Sequence, residues 1–231
     1  MAVTVVVDST ADLLPQVEAR VKLVPLSIRF GDEEYIPGVN MDTRRFYELL
    51  VERDVLPTTS QASPFAFEEV FRQAVEAGDN VVCLTCSSKL SGTHQSAVIA
   101  AREFPGKVWV VDSNTIAIGL GILTEYALTL VDRGFSAEEV ALQLLRRRED
   151  VRVLALVDTL EYLKKGGRIS SAVAFAGGVL NIKPVITLTG GEIRMLGKAR
   201  GSRQANNLLV QEIEKRAAWT LTSPCCWAIR A

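Results

Sequence analysis

The sequence predicts an α/β protein of two domains: a largely parallel, doubly wound sheet over residues 1–149, then a smaller α/β domain over 150–231. Three observations lead there. Apolar, Val-rich runs alternate with helix-like stretches from the first residues onward, the order that yields a parallel sheet covered on both faces. Three of those runs end in polar clusters, Asp8-Ser9-Thr10, Cys86-Ser87-Ser88 and Asp112-Ser113, where ligands bind in such sheets. A second series of strand, helix and hairpin signals begins near Asp150.

Taken in order, residues 3–7 read as a buried strand and 11–20 as a helix. Residues 21–30 look extended and 31–34 like a turn, after which Asp42 offers an N-cap for a helix over 43–53. Residues 56–64 form a polar loop that closes with Ser63 as cap and Pro64 at the first helical position. Phe65, Phe67, Val70, Phe71 and Val75 then mark the apolar face of a helix. The runs at 81–84 and 108–111 are strands, and 116–131 and 136–148 are helices. Arg146, Arg147 and Arg148 form a solvated helix C-terminus, favoured by the dipole.

In the second domain, 151–157 is a strand and 160–165 a helix stopped by Gly166 and Gly167. The uncharged segment 171–180 fits either a buried helix or the wall of an apolar channel. Residues 185–188 and 193–196 flank Gly190-Gly191 as a hairpin. Residues 198–203 form an exposed approach to a last helix over 204–215.

The strand-to-helix turn at 85–97 carries most of the chemistry. Ser91 is placed to cap the helix, Gly92 lets a ligand approach the backbone, and the amides of Gly92, Thr93 and His94 lack intrahelical partners. Free amides and hydroxyls at the positive end of a helix suit an anion. An ordinary capped helix is the plainer alternative.

Composition narrows the classes. With 26 basic and 27 acidic residues the formal charge is −1, so no basic field recruits nucleic acid. The opening run is interrupted by Asp8 and has no basic leader, and no later run nears the roughly 20 apolar residues of a membrane span. A cytoplasmic monomer is expected. Four cysteines do not make a disulfide scaffold, and Cys83 and Cys86, spaced like a metal knuckle, lie where strand geometry turns positions three apart to opposite faces.

Several catalytic classes lack their residues. Five residues separate Gly191 from Gly197, and Ala199 stands where a phosphate-binding loop needs Ser or Thr. The first strand leads into Asp-Ser-Thr, not the glycine fingerprint of a dinucleotide fold. His94 is the only histidine, so a serine hydrolase would have to pair it with Ser91, three residues away and without a nucleophile elbow. Asp8, Asp112 and Asp158 could gather as a Mg²⁺ site, or each could cap a turn or helix. No cofactor or metal is expected.

Five motifs in register resemble the DegV family of bacterial fatty-acid-binding proteins: Val7-Asp8-Ser9-Thr10-Ala11-Asp12, Thr59-Ser60-Gln61-Ala62-Ser63-Pro64, the run 87–93, Val111-Asp112-Ser113 and the run 158–170. They span residues 3 to about 215. The resemblance implies a two-domain DegV-like fold with a long-chain fatty acid in a tunnel between the domains, and a carrier, not an enzyme. Some members serve as the acyl-carrier subunit of fatty acid kinase and present the carboxylate to a separate ATP-dependent subunit. Carried over by motif, Thr59 and Ser91 would bind the carboxylate, helped by Ser60 and the amides of Gly92 and Thr93. Arg168 and Arg200 would face the kinase.

The tail departs from the family. Members usually continue with a further strand and a Gly-Thr-His-type loop whose histidine reaches the lipid head group. Residues 216–231 instead hold Trp219, Trp227 and the pair Cys225-Cys226, without a clear period. A frameshifted or altered C-terminus is expected, with an outer strand lost and lipid affinity reduced.

Overall fold

The computed structural model describes residues 2–53, 55–169 and 182–217. The chain divides into two compact units, Met1–Val151 and Arg152–Ala231.

In the first unit the elements run β1 (Val3–Asp8), α1 (Pro15–Glu18), β2 (Lys22–Val24), β3 (Ser27–Phe30), β4 (Glu33–Tyr35), α2 (Thr43–Glu52), β5 (Thr58–Ser60), α3 (Pro64–Glu76), β6 (Asn80–Thr85), α4 (Thr93–Ala101), β7 (Val108–Asp112), α5 (Ile118–Asp132) and α6 (Ala137–Arg147). Four strands pair in the order β2-β1-β6-β7, every pair parallel. Side chains alternate across this sheet. Val5, Val7, Val82, Leu84 and Val111 therefore enter one core with residues of α5 and α6, and Val6, Val81 and Cys83 enter another with residues of α3 and α4. The predicted doubly wound sheet is what forms.

The same alternation parts the two cysteines. Cys83 belongs to the α3/α4 core and Cys86 to the α5/α6 core. Their thiols do not make a metal clip.

The helix expected over 11–20 shrinks to α1. Ala11 bridges Ala117 in parallel, Asp12 N donates to Ala117 O, and Ala117 N donates to Thr10 O. These bonds hold 10–12 extended, so the helix begins only where Pro15 pre-sets its φ. The extended run 21–30 is two strands in two sheets. Pro25 has no N–H to give to a ladder, and Leu26 N donates to the Ser9 hydroxyl at 2.9 Å.

Sequence reading also missed two short strands. β4 and β5 flank β3 in an antiparallel three-stranded sheet. Both are three residues long, too short to show a period. Two of the predicted caps form, with Asp42 and Ser63 accepting from Arg45 N and Ala66 N, and Ser136 closes a capping box with Glu139. Phe65, expected on the apolar face of α3, is exposed, while Phe67, Phe71 and Ala74 carry the packing.

The second unit continues with β8 (Leu154–Leu156), α7 (Glu161–Lys165), β9 (Ile182–Thr189), β10 (Glu192–Arg200) and α8 (Gly201–Ala217). Its strands form an antiparallel sheet ordered β10-β9-β8. Gly190 and Gly191 both take positive φ, 58° and 81°, which is the turn a two-residue hairpin needs. The strand runs on to Arg200 and the helix starts at Gly201, leaving no exposed approach between them. The uncharged segment 171–180 and residues 218–231 of the tail expected to be altered lie outside the described residues.

Phe71 is fully buried against Phe67 and Phe104, with ring centroids 5.8 and 6.3 Å away. Phe71→Ala is expected to lower stability by about 3–5 kcal/mol in urea denaturation.

Candidate functional site

The carboxyl ends of β1, β6 and β7 are tied together by two aspartates. Asp8 is fully buried. Its Oδ1 accepts from Thr10 N at 2.9 Å and Thr10 Oγ1 at 2.5 Å, and its Oδ2 accepts from Cys86 N at 2.6 Å. Asp112 accepts from Ser88 N through both oxygens, at 3.2 and 3.3 Å, and from Asn114 N at 3.1 Å. Both carboxylates are thus taken up by turn amides. Asp158 belongs to the second unit, where Lys183 Nζ pairs with it at 2.6 Å. Among the described residues no group of three or more His, Cys, Asp or Glu side chains is arranged to hold a metal ion.

The turn after β6 differs from the expectation in its cap. Gly92, not Ser91, is the N-cap of α4, and no side chain caps that helix. The Ser91 hydroxyl lies 2.9 Å from Thr93 Oγ1 and accepts from Thr93 N at 3.3 Å. The first bond into the helix runs from Ser96 N to Gly92 O at 3.1 Å. The amides of Gly92, His94 and Gln95 accordingly have no acceptor within the helix. Ser91 is half-buried, Gly92 exposed and Thr93 buried.

Thr59 and Ser60 lie on β5, both exposed, opposite Ile28 and Ser27 of β3. The β3 sheet is itself anchored to the first strand end through the bond from Leu26 N to Ser9 Oγ. The next residue, Gln61, crosses to α4. Its Nε2 donates to Ser96 Oγ at 3.0 Å, and its Oε1 stands 1.9 Å from where a Cβ on Gly92 would be. The end of β5 therefore meets the start of α4. Sequence reading quoted Gln61 inside a motif yet gave it no role; the only available signal was its place between two predicted hydroxyl donors and the Ser63 cap.

His94 does not pair with Ser91. Its Nδ1 lies 3.0 Å from Thr85 Oγ1 at the end of β6, while the Ser91 hydroxyl is engaged with Thr93. Ser91 accordingly lacks the base that a hydrolase triad places beside it.

Arg168 and Arg200 are exposed in the second unit. Arg168 Nη1 donates to Gly166 O at 2.6 Å, and Arg200 N donates to Gln204 Oε1 at 3.2 Å. A separate cavity of about 340 Å³, lined by Ser9, Asp12, Leu13, Glu18, Leu23 and Pro37 among others, contains none of the predicted carboxylate donors.

Two backbone details lock the strand-end turns. Ala117 adopts φ 54° and ψ −127°, a region that L residues rarely occupy, and exchanges hydrogen bonds with residues 10 and 12. A Cβ on Gly121 would stand 2.2 Å from the Asp12 carbonyl, so only glycine lets α5 approach that turn.

The family model for uncharacterised DegV proteins matches residues 2–226. The chain belongs to the DegV family. A DegV domain-containing protein of Deinococcus radiodurans is 38% identical over 217 residues, covering 93% of this chain and 77% of that protein. A fatty-acid-binding DegV family protein from Thermus thermophilus superposes with a TM-score of 0.86 at 39% identity, over 95% of this chain and 79% of that one. The fatty acid kinase B3 protein of Streptococcus pneumoniae, loaded with linoleic acid, does so with a TM-score of 0.82 at 27% identity, over 93% and 79% of the two chains.

In this DegV protein the sole histidine reports on the turn. Burial lowers the His94 pKa below its ordinary value near 6.5; the Asp112 charge opposes this and Arg148 adds to it. The unfolded chain thus binds the proton more readily than the folded one. Stability from His94 is complete above about pH 6.5 and is lost as the pH falls below it. Between pH 7.5 and 5.5, urea denaturation should show the parent protein losing up to about 1 kcal/mol more than His94→Gln. Equal slopes would contradict the depressed pKa.

Proposed function

We propose that this DegV protein is a carrier of a long-chain fatty acid: it holds the carboxylate with the hydroxyls of Thr59, Ser60 and Ser91 and the amides of Gly92 and Thr93, the latter exchanging its bond to Ser91 Oγ for one to the ligand. The acyl chain runs into an apolar tunnel. One observation supports the reading: the side chain of Gln61, the residue after Ser60, reaches Ser96 and Gly92 at the start of α4, where helix amides lie open. The solved neighbours support the ligand class, since the Thermus thermophilus and Streptococcus pneumoniae proteins bind fatty acids.

The energetics suit such a ligand. A buried carboxylate needs charge-assisted hydrogen bonds, and neutral hydroxyls with a helix N-terminus supply them without a cation. Burying roughly 15 methylenes at about 0.8 kcal/mol each offers on the order of 12 kcal/mol before the cost of association. Binding therefore needs a dry cavity and a few well-placed donors.

The carrier has no turnover of its own and presents the carboxylate to a separate ATP-dependent kinase subunit. Support comes from the likeness to the kinase B3 protein and from the exposure of Arg168 and Arg200, the residues assigned to that contact.

Organic extraction of the purified protein followed by mass spectrometry should yield a long-chain acid in about equimolar amount. After delipidation, Ser91→Ala should raise the Kd for oleic acid about tenfold or more, the loss of one hydrogen bond to a charged group. An empty protein that does not take up oleic acid would overturn the reading.

A further inference from the structure

We infer that Gln61 is a positioning residue that latches β5, with Thr59 and Ser60, onto the first turn of α4. The inference rests on the carrier reading for its consequence in binding, but the latch itself is a property of the empty protein.

The short strand has little else to fix it on this side. β5 is a three-residue strand whose residues are all exposed, and it pairs with β3 at the margin of a three-stranded sheet. Beyond it, Ala62 is buried and Ser63 opens α3. Gln61 stands between that anchor and the strand. Its Nε2 reaches Ser96 Oγ at 3.0 Å, and Ser96 is only 1% exposed. The acceptor belongs to the residue whose N–H makes the first bond of α4, to Gly92 O. The latch therefore grips the rigid part of the helix start.

Gly92 explains itself through the same contact. Its φ of −72° is open to any L residue, so the backbone does not demand glycine there. The neighbour a side chain there would meet is Gln61: a Cβ would stand 1.9 Å from Oε1 and 2.8 Å from Cδ, so the flexible amide would have to swing aside. Gly92 and Gln61 thus form one device drawn from two separate motifs. A methyl group on residue 92 would displace the latch without touching the helix.

Hydrogen–deuterium exchange on the delipidated full chain tests the latch. Gln61→Ala and Gly92→Ala should each speed amide exchange across 58–61 about fivefold or more, roughly the worth of one hydrogen bond. Ser96→Ala should do the same, and the Gln61→Ala/Ser96→Ala pair should exchange no faster than either alone. With oleic acid as probe, Gln61→Ala should weaken binding about fivefold while the thermal midpoint stays within about 2 °C of the parent, because an exposed side chain contributes little to global stability. Unchanged exchange in Gln61→Ala, or additive effects in the double variant, would overturn the latch. Normal oleic acid binding by Gln61→Ala despite faster exchange would overturn its positioning role. Exchange that responds as expected in a parent protein that takes up no oleic acid would uphold the latch and sink the fatty-acid reading instead.

Discussion

The buried Asp8 carboxylate is the constraint on which the rest of the first unit hangs. A charge with no solvent must be met by donors, and Asp8 finds them in its own turn and across the sheet, at the Cys86 amide. This fixes how far β1 and β6 run before they leave the sheet. Ser9, the next residue, then fixes where the chain re-enters as β3. Two adjacent polar side chains thus set the position of the turn that opens α4 and of the small sheet that carries β5.

On the proposed reading, the carboxylate site is assembled from pieces with separate origins. The helix amides come from the doubly wound sheet, the hydroxyls from an antiparallel side sheet, and Gln61 joins them. Neutral donors suit a group that must keep its charge, because dipoles at a helix start favour the ionised form without offering a competing ion pair. The Arg and Glu side chains of this side sheet and of α2 are instead paired with one another on the surface, as in Arg53 with Glu33 and Arg45 with Glu48.

Much of the main sheet was legible because its strands are long, apolar and followed by well-signalled helices. The caps at Asp42, Ser63 and Ser136 follow from local chemistry, and the Gly190-Gly191 hairpin from a demand for positive φ that those residues meet. What escaped depends on distant partners. Pro15 disfavours a helix at Leu14, a local signal for the late start of α1, but the extended course of 10–12 rests on Ala117, and three-residue strands such as β4 and β5 exist through pairing with β3. Ser91 looked like a cap because its residue type favours one; the geometry gives that place to Gly92 and turns the hydroxyl toward Thr93. The candidate donors could be named from motifs, but Gln61, which joins two of those motifs, is visible only once the chain is folded.

The two sulfurs within β6 and its turn remain. Cys83 and Cys86 are both buried, on opposite faces of the sheet, and burial, aided by the Asp8 charge, pushes the Cys86 thiol up to about 12 and Cys83 higher than usual as well. Neither supplies thiolate at neutral pH, so oxidants and alkylating agents find no nucleophile in the native sheet. Chemical damage at this strand must wait for the sheet to open, which makes the native fold itself the antioxidant of its central strand.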